Sequence, residues 1–359
     1  MTPIVATIRE LKKVIKESQI LDLELFYLGP DNFESVALKE EGVVVIRGLS
    51  GKWRSYQALE NFKDIFRIAA GIVQALWNFL FLMPDVVFSK GGYGAFPSVV
   101  ASIIFRIPLI IHESDAIPGK VNQFSARFAT RIGISFPGAA SFFPKDKTAL
   151  VGIPIRKRIF GGNKEEAKEM LEIYSQTPVV GIIGASQGSQ KINDAVLGIL
   201  PELTQEFEIV HQTGEKNYAD VKSEASVILE KGKKENYHPF PFFEEGRLRG
   251  FYSASDLIVS RGSGTMIFEI AAWGKPSILV PLGIAAQDHQ RKNAYEYAAG
   301  GAAVVIEEQN LSPHILFAEI KKIIGDHAHM KKMSEAAQRF ARIDSGEIIA
   351  REILKLGIH

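Results

Sequence analysis

The chain has 359 residues, 46% of them apolar and 23% charged, enough to bury two cores, so two domains of ordinary size are expected. Its 42 basic and 41 acidic residues leave a formal charge of +1, which argues against a nucleic-acid binder that works through bulk charge; any anion must be held locally. There is no cysteine, which excludes disulfides, thiolate metal sites and cysteine nucleophiles, and the opening residues do not read as a signal segment.

The first element is a helix in MTPIVATIRELKKVIKE. Thr2 suits the N-cap and Pro3 the first helical position, and Ile4, Ile8, Leu11 and Ile15 recur on one apolar face. Such a helix needs a surface, and the strand expected in LELFYLG from Leu23 supplies only part of it. A second strand follows in GVVVIRG near residue 45. The stretch IFRIAAGIVQALWNFLFLMPD, Ile65 to Asp85, approaches membrane-spanning length, but Arg67, Gln74 and Asn78 interrupt it and Pro84 closes it. It is expected as a helix covering a parallel sheet. Trp77, Phe79, Phe81 and Leu82 spread over more than one face, which leaves room for a surface that dips into lipid, flanked by Lys52, Arg54, Lys63 and Arg67. Strands follow in DVVF at 85 and PLIIHE at 108.

Between residues 137 and 163 the chain is rich in Gly, Pro and charge. A second series of strands then begins: PVVGIIGAS at 178, FEIVHQTG at 207, DLIVSRG at 256, PSILVP at 276 and AAVVIE at 302. Continuous apolar runs mean strands covered on both faces, hence an α/β fold with doubly wound parallel sheets. Two Rossmann-like domains are expected, 1–152 and 153–339, with the last helix, 340–359, open between staying on the second and packing back on the first.

Ligands of such sheets bind beyond the carboxyl ends of the strands. GIIGASQGSQKIN places Gly184, Ser186, Gln187 and Gly188 between a strand and a helix, where free N–H groups and the helix dipole favour a phosphate; a tight turn is the plainer alternative. It has neither the G-x-G-x-x-G spacing nor a Walker lysine, so a nucleoside diphosphate fits better than a dinucleotide or a triphosphate. In SRGSGTMIFEIAAWGKP, Gly262, Ser263, Gly264 and Thr265 form another phosphate-sized helix start, and Glu269, a turn further on, is within reach of a ribose or merely favoured by the dipole. PLGIAAQDHQRKNA brings Asp288, His289, Gln290 and Asn293, groups suited to sugar hydroxyls.

These three loops, with SKGGYGAFPSVVAS, IIHESDAIPGKVNQFSARFAT and VGIPIR, resemble the MurG family of membrane-associated N-acetylglucosaminyltransferases, in order over nearly the whole chain. The resemblance implies a GT-B fold, two Rossmann-like domains facing a cleft. It implies UDP-N-acetylglucosamine as donor in the C-terminal domain and an undecaprenyl-linked acceptor, lipid I, at the N-terminal one, with inversion at the anomeric carbon. No metal or other cofactor and no nucleic acid is implied. The location implied is peripheral, on an anionic membrane surface at the cytoplasmic face of the bacterial cell membrane.

By matching motif, Ser186 and Gln187 resemble donor-loop residues; Ser263, Gly264 and Thr265 belong to the donor's helix start. Glu269 resembles the ribose ligand, Gln290 a sugar contact, Arg156 the residue between the domains near the donor, and Phe243 the position whose backbone reads uracil. Tyr93, Glu113 and Asn122 fall at acceptor-loop positions, and Asp115 and Glu113 are the carboxylates left for proton removal. Asp115 stands where the family usually has Asn, and Ile153 replaces the Asn of its usual GNP.

In that family TPIVA corresponds to the helix just after a strand and a GGTGGH loop, whose His is a candidate for acceptor chemistry. Met1 falls where the residue after that His stands, as an internal Met read as the start would give. Without that strand, which belongs between those near residues 24 and 86, two ladders are exposed, and the chain as given is expected to fold poorly and transfer no sugar. Two other readings remain: a UDP-sugar GT-B enzyme acting on another lipid acceptor, which Asp115 and Ile153 would suit, and a UDP-sugar-binding protein impaired in catalysis.

Overall fold

The computed structural model describes residues 3–19, 22–30, 34–51, 58–184, 188–230, 233–283 and 288–358. Thr2, Lys52, Arg54, Ser186 and Gln187 lie outside the described residues, as does the side chain of Lys63. The chain divides into two units, Met1–Ile155 with Arg342–His359, and Arg156–Ala341.

The first unit runs α1 (Pro3–Glu17), β1 (Phe26–Gly29), α2 (Glu34–Glu40), β2 (Val44–Arg47), α3 (Ala58–Leu82), β3 (Val87–Ser89), α4 (Phe96–Phe105), β4 (Leu109–Glu113), α5 (Lys120–Ser125), β5 (Arg131–Ile134) and β6 (Thr148–Leu150). α1 buries Val5, Ile8, Leu11, Val14 and Ile15; Ile4, expected on that face, is half-buried. β1 and β2 form a parallel pair, and β3-β4-β5-β6 a parallel four-stranded sheet. Among the described residues no ladder joins β1 to β3, yet the two strands share their covering layers. Leu25, Val86 and Phe88 pack with Leu11 and Val14 on one side, and Leu28 and Val87 with Ala75 and Phe79 on the other.

α3 is the helix expected over the sheet. Its stretch Asp64–Leu82, with mean hydropathy 1.7, is by length and composition apolar enough to cross a membrane. Here Ala75 and Phe79 pack on Ala101 of α4, and Gly71 lies so close to Leu49 that a Cβ would fall 2.1 Å from its carbonyl oxygen. The opposite face stays in solvent: Phe66, Val73, Trp77 and Phe81 are 63–67% exposed.

The second unit runs α6 (Lys164–Met170), β7 (Val179–Ile183), α7 (Gln190–Leu197), α8 (Leu200–Glu206), β8 (Glu208–Gln212), α9 (Tyr218–Ile228), β9 (Tyr237–Phe240), α10 (Glu245–Ala254), β10 (Leu257–Ser260), α11 (Gly264–Ala272), β11 (Ser277–Leu279), α12 (His289–Ala299), β12 (Ala303–Val305), α13 (Pro313–Gly325) and α14 (His327–Phe340). Its six parallel strands lie in the order β12-β11-β10-β7-β8-β9. That order reverses direction between β7 and β10, the switch point at which doubly wound sheets take ligands. β7, β8 and β10 are wholly buried, as the apolar runs of β7 and β10 require.

The chain then returns to the first unit. In α15 (Ser345–Gly357), Ile349, Ala350 and Ile353 close over Leu11, Val14 and Ile15. This is the surface that β1 could not give α1. Gly152, with φ +83°, allows the approach of Arg342, whose Cβ would otherwise meet a side chain at 2.5 Å.

Three strands had no apolar run to announce them. β5 and β6 are short, and β6 is largely exposed. β9 contains Pro239, which cannot donate to a ladder and is tolerated because β9 is the sheet's edge.

Candidate active site

The switch point of the second unit is lined by the two loops singled out for phosphate. After β7, Gly184 and Gly188 close tightly: a Cβ on Gly184 would fall 2.6 Å from the Ser189 nitrogen, and one on Gly188, at φ +75°, 2.1 Å from the Thr213 carbonyl oxygen. Ser189 caps α7 by accepting from the Ile192 N–H at 3.3 Å. Behind this turn Asn193 donates to the Thr213 carbonyl at 3.0 Å and accepts from His211 Nε2 at 3.0 Å. His211 Nδ1 in turn accepts from the Tyr237 hydroxyl at 3.0 Å. Burial lowers His211 to about 3, so the imidazole stays neutral and keeps both bonds.

After β10, Gly262 is obligatory because a Cβ would sit 2.6 Å from the Gln290 carbonyl oxygen. Ser263 is the N-cap of α11 but makes no side-chain cap bond, so the first-turn N–H groups around Gly264 and Thr265 remain open to an anion. One turn along α11, Glu269 is 2% exposed. Its Oε1 accepts from Arg156 Nη2 at 2.9 Å and its Oε2 from the Tyr252 hydroxyl at 2.9 Å. Burial, then the charge and hydrogen bond of Glu269, push the Tyr252 phenol well above its ordinary value, so it remains a donor. Arg156, 11% exposed, also approaches Glu245 at 4.0 Å.

Aromatic rings wall this pair. Trp273 stacks near Tyr252, and Phe251 links Tyr252 to the buried Phe243. Gln290, half-buried in the first turn of α12, accepts the Leu282 N–H at 3.1 Å.

In the first unit the expected acceptor residues meet at the end of β4. Glu113 is 4% exposed and accepts from Asn122 Nδ2 at 2.8 Å, the Asp115 N–H at 3.0 Å and the Gly119 N–H at 3.1 Å. Burial raises its pKa against those hydrogen bonds. Asn122, 2% exposed, also donates to the His112 carbonyl at 3.2 Å. Glu113 and Asn122 therefore build the 114–119 loop from inside it, a different job from facing an acceptor. Asp115 is half-buried and Tyr93 is 41% exposed. Gly91, at φ +76°, brings the loop before Tyr93 against Asn122: a Cβ there would fall 2.6 Å from Oδ1. Ile153 is fully buried, so this departure from GNP serves packing.

The structure thus brings Arg156 to Glu269 and Glu113 to Asn122. Tyr252, the partner of Glu269, carries no motif; the sole hint in sequence is an aromatic that clusters with Phe251.

Residues 1–134 match the Glycosyltransferase family 28 N-terminal domain and residues 179–346 its C-terminal domain. A UDP-N-acetylglucosamine--N-acetylmuramyl-(pentapeptide) pyrophosphoryl-undecaprenol N-acetylglucosamine transferase of Lachnospira eligens is 32% identical over 342 residues, 94% of this chain and 92% of that protein. The enzyme of the same name from Clostridium tetani is 34% identical over 322 residues, 89% and 85% of the two chains. Among solved structures, MurG of Acinetobacter baumannii superposes with a TM-score of 0.74 at 22% identity, covering 98% of this chain and 95% of that one. The fold is GT-B, and the chain belongs to the MurG family of UDP-N-acetylglucosamine-dependent N-acetylglucosaminyltransferases.

Proposed function

We infer that this chain transfers N-acetylglucosamine from UDP-N-acetylglucosamine to undecaprenyl-diphospho-muramoyl-peptide, converting lipid I to lipid II in peptidoglycan synthesis. Within the family match, the observation that carries the donor half is the pair of glycine-bearing loops at the switch point, with the Arg156–Glu269 pair behind the second. The α11 start with Ser263, Gly264 and Thr265 takes the diphosphate, together with Ser186 and Gln187 of the first loop. Glu269 receives the ribose hydroxyls, which its remaining lone pairs can accept. The Phe243 backbone meets uracil, Gln290 the sugar, and Arg156 pairs with Glu269 beside them.

Transfer with inversion breaks the bond from the anomeric carbon to the UDP oxygen as the acceptor hydroxyl forms a new one. The electron pair leaves on the diphosphate, where helix N–H groups stabilise it. The hydroxyl proton goes to a carboxylate. Asp115 takes that part, because Glu113 already spends its oxygens on three donors; Tyr93 lies on the acceptor side. The enzyme sits peripherally at the cytoplasmic face of the membrane, held by the exposed apolar face of α3, where Trp77 and Phe81 adjoin at 5.0 Å, with the exposed Arg67 on the same helix.

The test supplies labelled UDP-N-acetylglucosamine with lipid I and, separately, with undecaprenyl-linked acceptors lacking the muramoyl peptide. Label on lipid I alone is expected. Label on another acceptor would favour a different lipid substrate, and UDP binding without any transfer would leave a binding protein.

A further inference from the structure

In the second unit β11 runs between β10 and β12. Arg261 directly follows β10 and Glu308 lies just past β12, and their side chains meet over the exit of the strand between them. Arg261 Nη2 is 2.6 Å from Glu308 Oε1, both side chains 8% exposed. Arg261 Nη1 donates to the Val280 carbonyl at 3.2 Å, and Glu308 Oε2 accepts from the Gly283 N–H at 3.2 Å. Between those two points the Leu282 N–H donates to Gln290 Oε1 at 3.1 Å. Lys191 of α7 stands 3.7 Å from Glu308 Oε2, so the same carboxylate reaches the helix that follows the 184–189 loop. On the outer side Glu307 accepts from the Tyr295 hydroxyl at 2.7 Å and pairs with Arg291 Nε at 2.8 Å, which fixes α12.

A buried ion pair is a poor source of stability, since two apolar side chains of similar volume generally do as well. What apolar side chains could not do is bond the Val280 carbonyl and the Gly283 N–H. These bonds hold residues 280–283, of which Leu282 meets Gln290. With its oxygen taken by Leu282, the Gln290 carboxamide has its NH2 left to donate.

We propose that Arg261 and Glu308 are positioning residues that fix residues 280–283 after β11, so that Gln290, bonded to Leu282, presents its amide NH2 to a hydroxyl of the donor sugar while the nucleotide is held independently. This rests on the reading of Gln290 as the sugar contact. The test compares the affinities of UDP and UDP-N-acetylglucosamine by calorimetry in the wild type, Glu308→Gln, Glu308→Leu, Arg261→Met/Glu308→Leu and Gln290→Ala. Glu308→Leu is expected to weaken UDP-N-acetylglucosamine about tenfold or more, the scale of a lost charged hydrogen bond, with UDP unchanged. Glu308→Gln, which keeps an acceptor for Gly283, should fall between. The double variant leaves no orphaned charge, so it carries the test if the single one does not fold, and it should keep the sugar defect.

Equal weakening of both ligands, no weakening of either, or recovery of sugar binding in the double variant overturns the proposal. If Gln290→Ala shifts the ratio of the two affinities while Glu308→Leu does not, the positioning role alone fails. A Gln290→Ala ratio equal to wild type removes the sugar contact and the proposal with it.

Discussion

Glu269 in one unit and Glu113 in the other are both buried beside a candidate site, and the two are held in different ways. Glu269 is met by a guanidinium and a phenol; Glu113 is met by an amide and two backbone N–H groups, all neutral. Glu269 has a cationic partner at 2.9 Å. Glu113 has neutral donors, which offset its desolvation only in part, and burial leaves its pKa raised. The difference separates two tasks. A carboxylate paired with a guanidinium beside open helix N–H groups suits a ligand's hydroxyls, whereas one surrounded by its own loop's donors gives that loop its shape.

An acid titration of stability gives the largest effect and bears on both units. His112 and His211 are each lowered from 6.5 to about 3, His112 by burial and then by Lys90, His211 by burial. A histidine neutral in the fold and protonated in the unfolded chain contributes fully above pH 6.5, and its contribution is lost as pH falls from there toward 3. Each should remove about 1.4 kcal/mol per pH unit. Glu113 has the opposite sign: with its folded pKa raised, its contribution is fully present below the unfolded value and is lost as pH rises through the folded one. Urea unfolding at several pH values checks this. Glu113→Gln should remove the opposing part, so that stability falls more steeply on acidification through the window where Glu113 titrates; an unchanged slope would mean that Glu113 titrates as it does when unfolded.

Next comes the pair itself. Glu269→Ala leaves the half-buried Arg156 with only its longer approach to Glu245 and should cost up to about 3 to 5 kcal/mol in urea unfolding. Glu269→Gln keeps the shape and should show the loss of UDP affinity, about tenfold or more, with a smaller stability cost. Calorimetric affinity equal to wild type would take Glu269 out of the ribose site.

Glu113→Ala strands the Asn122 amide and two N–H groups, at about 1 to 3 kcal/mol. A cost matching that of Glu269→Ala would erase the distinction between neutral donors and a counter-ion. Asp115→Asn, which keeps the size of the side chain while removing the base, should lower turnover with little change in melting. The smallest effect on stability is expected for Trp77→Glu, because Trp77 is 64% exposed. That variant should nonetheless lose co-sedimentation with anionic vesicles, and wild-type binding should weaken with salt; undiminished binding would leave α3 as a covering helix and nothing more.

Much of the candidate donor site was legible because its parts are local. Gly262, Ser263, Gly264 and Glu269 lie on one strand-to-helix connection, and its spacing alone places the carboxylate a turn behind the anion-ready N–H groups. Glu113 and Asn122 were legible as neighbours of a loop but not as its builders: their hydrogen bonds form only when α5 folds under the end of β4. Arg261 and Glu308 had no legible connection, since their encounter depends on β10, β11 and β12 lying side by side.

The sequence by itself determined the doubly wound class, the two series of strands and the glycine-bearing turns that start α7 and α11, because periodicity, glycine position and helix starts are properties of short segments. Tertiary structure alone decided three other matters. It sent α15 back to α1, a choice set by two apolar faces more than 300 residues apart in sequence. It seated β9 at a sheet edge where Pro239 does no harm. It also decided which carboxylate received a counter-ion, because desolvation and charge pairing depend on what surrounds a side chain in space, and a motif records only what precedes and follows it.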